Sequence, residues 1–498
     1  MKKLLFVAAA IFLLPFIGMK GTPAGNPAAS QPPSRAANAP TKSSGQSGYI
    51  SPTPGHFPII AWNPYYIRRT ATRSDFQKLV SCGFNSALVS ESFDNIYGLI
   101  PKIKGLDVSL IVNLDWFFIN HKDTLCFQVI KQLRDYVNAN ANPELIGGYL
   151  ITDEPLKSEI VPLKAFHSSI AAIDSGALPW INLVGEPAEA FMQKTGARRI
   201  YSDSLNQRET FKKYLSTFCD VVNPAVLSYD FYPIMQRSAD TLEINFKDFY
   251  YDLALFAHTS KARGIPFWAF CETANYIYQN PESPDIYPQR PVATEEYLRF
   301  EAFNALALGA QGIVYWAYAM QDPNENGYYQ SAVVDKNGNP GPSWDAVKQI
   351  NKEIKEHSDV FLGATLEGYI FIGDQYQRPS EICFIPAPAP WDKLSAARVS
   401  GKGALISRLS NKGKNYIVIV NQDPVNTSRI RLRYRVKRDP FTTCDSIVSG
   451  IIGPVGSGIN SISLRDSIPH SGYTYVTKHI TLKPSQYEIF QVPDSIEF

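Results

Sequence analysis

Short and almost continuously hydrophobic segments alternate with longer amphipathic segments between residues 56 and 360. Eight of the short segments have the length of a strand and too few polar positions for a strand with one solvent-facing side. Parallel sheets that helices cover on both faces contain strands of this kind. The predicted strands are Pro58–Trp62, Asn85–Ser90, Val108–Leu114, Gly147–Ile151, Pro179–Val184, Val226–Phe231, Pro266–Cys271 and Gly312–Ala317.

The segments between these strands have helical periodicity. In the predicted helix over 123–141, one apolar face is formed by Leu125, Val129, Leu133 and Tyr136. Thr294 is a predicted N-cap, and the inner face of the helix after it is formed by Tyr297, Phe300, Phe303 and Ala307. Eight strands alternating with helices over ~300 residues match a (β/α)8 barrel. A doubly wound sheet is the alternative, but the evenness of the repeats favours a closed barrel.

The pattern changes after about residue 361, where helical periodicity stops and short strand-like segments separated by turn residues follow. This pattern is typical of an all-β sandwich, so we assign 56–360 to the barrel and 361–498 to a C-terminal β-sandwich domain. We expect this domain to pack against the barrel, and carbohydrate binding is an alternative role. The predicted strands are Gly368–Gly373, Ile382–Ile385, Ala404–Leu409, Tyr416–Asn421, Arg429–Val436 and Tyr487–Val492.

The N-terminus resembles an export signal. Lys2 and Lys3 precede the apolar run Leu4–Gly18, which is short for a membrane span. We therefore predict a signal peptide over 1–19, with an uncleaved anchor as the alternative, and no transmembrane segment after its removal. Residues 20–55 are rich in Pro, Ala and Ser and are predicted to form a flexible linker. A periplasmic or extracellular protein is the expectation.

Composition narrows the range of functions. The net charge is +2 without a dominant Lys/Arg cluster, which argues against a nucleic-acid partner. The seven His and six Cys show no metal-ligand spacing, so neither a metal nor a cofactor is expected. Aromatic residues make up 12% of the chain, and aromatic faces also stack on sugar rings.

Candidate chemistry lies at the predicted C-terminal ends of the strands, where barrels of this kind place functional residues. Carboxylates, amides and aromatic side chains are concentrated there, as in a site that binds sugar hydroxyls and covers a sugar ring. The candidate catalytic residues are Glu154 and Glu272. The candidate substrate-binding residues are Trp62, Asn113, Asp115, Trp116, Asp153, Asn182, Asp230, Tyr232 and Trp316.

These residues resemble those of the retaining glycoside hydrolases with a (β/α)8 barrel, a clan that includes β-galactosidases, cellulases and mannanases. The segment 147–155 (GGYLITDEP) matches the region of the acid/base Glu after strand 4, and 266–272 (PFWAFCE) matches that of the nucleophile after strand 7. The resemblance implies that Glu154 is the acid/base and Glu272 the nucleophile. It also implies that Tyr232 hydrogen-bonds the nucleophile and that Trp316 lies beneath the sugar.

One position departs from the clan. The residue before the acid/base is usually an Asn that contacts the sugar 2-hydroxyl, and here it is Asp153. A carboxylate still accepts a hydrogen bond from a hydroxyl, but its charge favours a raised pKa for Glu154. The substitution points either to an acid that stays protonated or to a different substrate.

Glycosidic cleavage requires one carboxyl group that protonates the leaving oxygen and a second one at the oxocarbenium-like centre. Retaining enzymes hold the two groups about 5–5.5 Å apart, and inverting enzymes about 6.5–9.5 Å apart. Ends of strands 4 and 7 face each other across a barrel mouth. The expected function is therefore retaining hydrolysis of an oligo- or polysaccharide.

Several alternatives remain open. Glu154 could cap the next helix or pair with Lys157, and Glu272 could bind an Arg structurally. Glu186 and Glu91 are weaker candidates near neighbouring strands. A metal-dependent hydrolase and a Ser or Cys hydrolase lack their motifs. A non-catalytic sugar-binding barrel is the main alternative function. The insertions Tyr276–Pro291 and Gln321–Tyr329 are expected to wall the cleft.

Overall fold

The computed structural model describes a defined part of the chain: residues 51–62, 71–90, 92–185, 204–238, 241–277, 290–324, 327–329, 331–373, 394–437, 462–463, 473–492 and 496–497. The predicted signal peptide, the predicted linker up to residue 50, Glu91 and Glu186 lie outside it, as does most of the insertion after strand 7. Residues 51–55 of the predicted linker are described, and Pro52 and Thr53 are buried. This end of the predicted linker is therefore packed against the protein.

Eight parallel strands form a closed barrel in which each strand pairs with its neighbours in sequence and the eighth pairs with the first. The fold predicted from the alternating pattern is therefore confirmed, and every predicted barrel strand matches an observed one to within a few residues. The strands are β1 Ile59–Ala61, β2 Ser86–Val89, β3 Ser109–Asn113, β4 Ile146–Asp153, β5 Leu178–Val184, β6 Leu227–Asp230, β7 Phe267–Glu272 and β8 Ile313–Trp316.

A helix follows each strand. These are α1 Arg73–Ser81, α2 Phe93–Ile103, α3 Asp123–Asn140, α4 Ile160–Ile173, α5 Ser204–Val222, α6 Phe246–Arg263, α7 Glu295–Ala307 and α8 Trp344–Glu356. Shorter helical segments are Asp115–Ile119, Pro143–Leu145, Lys157–Glu159 and Ser358–Phe361.

Two predictions about individual helices have different outcomes. Thr294 caps α7, since its hydroxyl accepts the Tyr297 N–H at 3.3 Å. The predicted buried face of α3 is wrong by one position, because Leu125 is 47% exposed. The face that packs on the barrel instead contains Cys126, Ile130, Leu133 and Val137. Two apolar stripes run side by side on this helix, and only packing decides between them.

The barrel interior follows the two-residue period of its strands. In β7, Trp268 and Phe270 belong to the interior cluster, whereas Phe267, Ala269 and Cys271 pack outward on the helices. Glu272 continues the inward series at the top of the strand. The interior cluster consists of Ile60, Leu88, Ile111, Leu150, Leu178, Trp180, Val226, Trp268, Phe270 and Val314.

The C-terminal domain is a β-sandwich of two antiparallel sheets, as predicted. One sheet has the order β9-β11-β12-β15 and the other contains β10, β13 and β14. Two of these strands, β10 and β14, were not predicted, and the predicted strand Ile382–Ile385 lies outside the described residues. The strands are β9 Thr365–Ile372, β10 Leu394–Ser400, β11 Ala404–Asn411, β12 Lys414–Asn421, β13 Ser428–Lys437, β14 Tyr473–Leu482 and β15 Tyr487–Val492.

Several short strands lie outside the barrel wall. The pairs Ile234–Ser238 with Thr241–Ile244, and Gln321–Asn324 with Gly327–Tyr329, form hairpins, and Tyr276–Ile277 joins the second of these. Ile462–Ser463 and Ile496–Glu497 extend the second sheet of the sandwich.

The first sheet of the sandwich is buried on both faces. In β12, Ile417 and Ile419 face the second sheet, whereas Val418 and Val420 join the cluster that covers the barrel. Because both faces are covered, this strand is a continuous apolar run rather than an alternating one. The expectation that the second domain packs on the barrel is therefore met.

Among the described residues, no helix combines the length and the apolar character needed to span a bilayer. The four described cysteines, Cys82, Cys126, Cys219 and Cys271, are free thiols in the core. They occupy positions in the core that small hydrophobic residues usually fill.

Candidate active site

The polar residues at the top of β3 and β4 are joined by hydrogen bonds. Thr152 donates its hydroxyl to Asp115 Oδ1 at 2.5 Å, and the Asp115 N–H donates to Asn113 Oδ1 at 2.8 Å. Asn113 in turn donates from Nδ2 to Ser90 Oγ at 2.9 Å. These hydrogen bonds fix Asn113 and Asp115 at the barrel mouth between β2 and β4. All of them join residues of the protein to one another.

Asn182 organises the neighbouring part of the mouth. Its amide group donates to Asp153 Oδ1 at 2.9 Å and to Asp230 Oδ1 at 2.8 Å. Its side-chain oxygen, Oδ1, accepts a hydrogen bond from the Ser228 hydroxyl at 2.6 Å. One buried amide thus holds two carboxylates, one on each side of β5. The two-residue period of β5 and β6 places Asn182, Ser228 and Asp230 on the inner face of the barrel.

Glu154 directly follows β4 and has a left-handed backbone conformation, with a φ of 47°. Its main-chain N–H donates to the main-chain carbonyl oxygen of Asn182 at 2.9 Å. This bond continues the pairing between β4 and β5 by one residue. Non-glycine residues in this region are uncommon, and they cluster at functional sites. The side chain that caps the next helical turn is Glu159, which accepts the Leu156 N–H at 2.6 Å. The capping role considered for Glu154 therefore belongs to Glu159.

Glu272 ends β7 and is buried, with 6% of its side chain exposed. Burial raises the pKa of its carboxyl group from 4.5 to about 8, and Arg290 opposes this shift. The Arg290 Nε atom lies 3.4 Å from Glu272 Oε1, but the contact does not have hydrogen-bond geometry. The alternative in which Glu272 binds a structural Arg is therefore supported in part, because Arg290 lies beside Glu272 but does not form a hydrogen bond with Oε1. The pKa still moves upward, which is the opposite of the effect of a dominant ion pair.

Arg290 is mainly engaged with the chain after β6. Its Nη1 atom donates to the carbonyl oxygens of Tyr232 at 2.8 Å and Ile234 at 3.3 Å. Its guanidinium carbon also lies 5.6 Å from the centre of the Tyr232 ring. Arg290 therefore fixes the loop that carries Tyr232 and places a positive charge beside Glu272.

Tyr232 lies where the candidate residues converge. Burial raises the pKa of its phenol, and the carboxylates of Asp230, Glu272, Asp153 and Glu154 raise it further. Both candidate catalytic carboxylates are therefore close enough to act on one phenol. The Tyr232 ring stacks on Trp316, with 5.2 Å between the ring centres. The hydrogen bond between Tyr232 and Glu272 stays a prediction.

Asp230 shares this environment. Burial raises the pKa of Asp230 well above its usual value, and the neighbouring Glu154 and Asp153 carboxylates add to the effect. The Asp230 carboxyl group therefore lies close to two other carboxyl groups at the mouth of the barrel.

The candidate tryptophans are not core residues. Trp116 is 54% exposed, while Trp62 and Trp316 are half-buried at the top of the barrel. Among the described residues, the fully buried tryptophans are instead Trp180 and Trp268, whose rings pack edge to face at 5.3 Å. Trp62 packs on Trp180 at 5.5 Å, so it closes the aromatic layer beneath the polar residues.

Two further residues at this site, Arg290 and Glu301, are not among the predicted ones. Glu301 is 2% exposed, and its Oε2 atom accepts the Glu272 N–H at 2.7 Å. A signal for Glu301 was present, since a carboxylate surrounded by apolar residues on all sides of α7 requires a buried partner. Arg290 follows a long loop and gave no such signal. Within the described residues, no cluster of His, Cys, Asp or Glu has the geometry to hold a metal ion.

Part of the chain is similar to a known glycoside hydrolase family. Residues 207–357, which run from α5 to just past α8, match the family model Glyco_hydro_42, described as beta-galactosidase. The match includes Glu272 but not Glu154. The resemblance to the (β/α)8-barrel glycoside hydrolases is confirmed. A search of the curated proteins finds no match.

Among solved structures, a catalytic mutant of a GH42 β-galactosidase from G. stearothermophilus is similar over 89% of this chain and 99% of that chain, with a TM-score of 0.51 and 8% identity. This likeness supports the shared fold of barrel and β-domain. The endo-β-1,4-mannanase from Thermotoga petrophila has a TM-score of 0.41 and 12% identity over 78% of this chain and 95% of its own.

Proposed function

We propose that this protein is a retaining glycoside hydrolase that cleaves O-glycosidic bonds of an oligo- or polysaccharide, with Glu154 as acid/base and Glu272 as nucleophile. The observation that carries the proposal is the position of the two carboxylates at the ends of β4 and β7, where both act on the Tyr232 phenol. The glycosidase family match over β6 to β8 supports it independently.

The proposed reaction has two steps. In the first, Glu154 gives its proton to the leaving oxygen while the Glu272 carboxylate attacks the anomeric carbon, so that the glycosidic bond breaks and a glycosyl ester forms. In the second, Glu154 takes a proton from water, the water oxygen attacks the anomeric carbon, and the ester bond to Glu272 breaks. The net result is hydrolysis with retention of the anomeric configuration.

The surrounding residues fit the binding of a sugar ring. Trp316 and Tyr232 form a stacked aromatic surface beside Glu272. Asp153 and Asp230 offer carboxylate oxygens that accept hydrogen bonds from hydroxyl groups. Because Asn182 fixes both carboxylates, they are oriented before a substrate arrives.

The family description makes β-D-galactosides the first substrates to examine. We expect 4-nitrophenyl β-D-galactoside, or another member of a panel of aryl β-glycosides, to be hydrolysed. Proton NMR of the first sugar released should show the β-anomer before mutarotation. Release of the α-anomer would overturn the retaining mechanism and leave an inverting hydrolase.

Substitutions test the assignment of the two residues. We expect Glu272→Gln to lower kcat by a factor of about 10⁴ or more, since the covalent step is lost. Glu154→Gln should lower kcat/KM strongly for a poor leaving group and much less for 2,4-dinitrophenolate, which leaves without a proton. Glu159→Gln is the matched control, because Glu159 lies on the same loop but caps a helical turn. Full turnover by Glu272→Gln would contradict the assignment.

A non-catalytic sugar-binding protein is the second candidate, and Arg290 beside the buried Glu272 is the observation that favours it. Calorimetry distinguishes the two. Oligosaccharide binding without hydrolysis after prolonged incubation would support the binding protein. Hydrolysis that Glu272→Gln abolishes would exclude it.

We also propose that the chain is exported, which rests on the charged and apolar N-terminal pattern. Expression of the full chain should yield a mature protein outside the cytoplasm that lacks the first ~19 residues. Mass spectrometry of the exported protein would measure the new N-terminus, and a full-length cytoplasmic product would contradict the proposal.

A further inference from the structure

Glu301 is a buried carboxylate that the proposed reaction does not use. It lies on α7, outside the barrel wall, and only 2% of it is exposed. Its Oε2 atom accepts the main-chain N–H of Glu272 at 2.7 Å. We propose that Glu301 is a positioning residue, which fixes the main chain of Glu272 and thereby the direction of the Glu272 carboxylate. The catalytic consequence rests on the proposed function, whereas the main-chain contact does not.

The position of Glu272 in its strand explains why this N–H requires a side-chain acceptor. In β7 the N–H groups of Ala269 and Thr273 point to β8, where they donate to Gly312 and Trp316. N–H groups alternate along a strand, so that of Glu272 points to the opposite side, toward β6. The pairing of β6 with β7 ends at Tyr229 and Ala269, three residues before Glu272. At this height the main chain of β6 no longer provides an acceptor.

The surroundings favour a neutral Glu301. Burial raises the pKa of Glu301 well above its usual value, and the nearby Glu272 carboxylate raises it further, while Arg290 and the Glu272 N–H lower it. A protonated carboxyl group retains an oxygen that accepts the Glu272 N–H. Glu272 can therefore carry the negative charge of the pair, as a nucleophile requires.

Helix α7 holds Glu301 rigidly. Arg299, two residues earlier, donates to both carboxylate oxygens of Glu353 on α8, at 2.8 and 2.6 Å. Phe303, two residues later, stacks on Tyr487 of the β-domain with 3.8 Å between ring centres. The acceptor for Glu272 thus lies between two points at which α7 is attached to its neighbours. A small displacement of a reacting group is enough to lower a rate by a factor of about 100.

Hydrogen exchange tests the contact without relying on activity. Mass spectrometry of a peptide that contains Glu272 should show a slowly exchanging amide in the unmodified chain. Glu301→Met, which keeps the length of the side chain but removes the acceptor, should speed this exchange at least about tenfold. Glu301→Gln keeps an acceptor oxygen and should leave the exchange within about twofold of the original.

Asn304→Leu is the matched control. Asn304 is also buried on α7, but its side chain contacts Tyr250 and the Phe300 carbonyl and not β7. It should leave exchange at Glu272 unchanged. If Glu301→Met fails to fold, Glu301→Asp replaces it in the test. Its shorter side chain moves the carboxylate oxygen out of hydrogen-bond reach of the Glu272 N–H. Unchanged exchange at Glu272 in the folded Met or Asp variant would overturn the proposal.

Kinetics then test the consequence for catalysis. On an aryl glycoside, Glu301→Met or Glu301→Asp should lower kcat by a factor of about 10–100 with KM changed less than threefold, and Glu301→Gln should restore most of kcat. Faster exchange with unchanged kcat would limit Glu301 to a structural role and overturn positioning. Faster exchange in a chain without any glycosidase activity would instead contradict the proposed function and leave the main-chain contact intact.

Discussion

An isolated glutamate is ionised at neutral pH, whereas burial raises the pKa of Glu272 to about 8. Withdrawal from water penalises the charged form of a carboxyl group, and the Arg290 guanidinium 3.4 Å away compensates for only part of this penalty. A nucleophile must be ionised to attack. The residue that the proposal places at the anomeric carbon is therefore fully active only in alkaline solution.

The pH dependence of kcat/KM follows from this pKa. On a 2,4-dinitrophenyl glycoside, whose leaving group needs no proton from Glu154, kcat/KM should increase with pH as Glu272 ionises. It should reach half of its limiting value near pH 8 in the free enzyme. Arg290→Gln removes the charge that lowers the Glu272 pKa, so the midpoint should move to higher pH. Arg134→Gln is the control, since Arg134 pairs with Asp174 instead. A midpoint near pH 4–5 would show that Glu272 is not the group observed.

Trp116 is an exposed aromatic residue beside the candidate active site. Its indole is 54% exposed on the short helix after β3, which is fixed beside Asp115. An exposed indole next to a sugar site is a surface on which a further ring can stack. Trp116→Ala should raise KM for an oligosaccharide about fivefold to twentyfold, equivalent to about 1–2 kcal/mol, and change KM little for an aryl monosaccharide. Val161→Ala, at an exposed apolar position on α4, is the control. Equal effects on both substrates would contradict a remote stacking role.

At the scale of single elements, the aromatic layer inside the barrel depends on close approach between strands. Gly312 precedes β8, and an added Cβ there would collide with the indole of Trp268 on β7. Trp268 in turn packs on Trp180 beneath the candidate carboxylates. Glycine is therefore required at position 312 because the Trp268 indole leaves no room for a Cβ atom. Backbone conformation does not impose this requirement.

Gly312→Ala should destabilise the protein by about 1–3 kcal/mol, as expected for overpacking in a dense core. Chemical denaturation monitored by tryptophan fluorescence measures this loss. Gly98→Ala on α2 is the matched control, because nothing lies within 4 Å of the added methyl group. It should be neutral or stabilise the helix by up to about 1 kcal/mol. Equal stabilities of the two variants would show that the barrel interior adapts.

At the scale of the whole molecule, the first sheet of the β-sandwich lies between two hydrophobic cores. Its β15 residue Tyr487 stacks on Phe303 of α7 and donates its hydroxyl to Glu353 of α8 at 3.1 Å. Glu353 also binds Arg299, so a residue of the β-domain completes a network between two barrel helices. The β-domain should therefore unfold together with the barrel.

Tyr487→Ala should destabilise this common unit by about 3 kcal/mol, because it removes a stacked aromatic ring. Tyr487→Phe should lose only about 1 kcal/mol, since it keeps the ring and removes one hydrogen bond. Calorimetry should show a single transition in the unmodified chain and in Tyr487→Phe. Two separate transitions in the unmodified chain would contradict the coupling of the domains.

The sequence alone determined the order of strands and helices, because buried parallel strands and amphipathic helices each have a period that is visible along the chain. It also determined that Glu154 and Glu272 follow strands of the same barrel, and that polar residues such as Asn182 and Asp230 belong at its mouth. These are properties of local pattern and of chain order.

Tertiary structure decided what depends on neighbours that are distant in sequence. It placed Arg290 beside Glu272, gave the Glu272 N–H to Glu301 and turned α3 so that Leu125 faces solvent. The shift in the Glu272 pKa likewise follows from burial, which is a property of the assembled barrel. Desolvation and side-chain contacts arise only when separate elements pack, so a linear pattern has no period that records them.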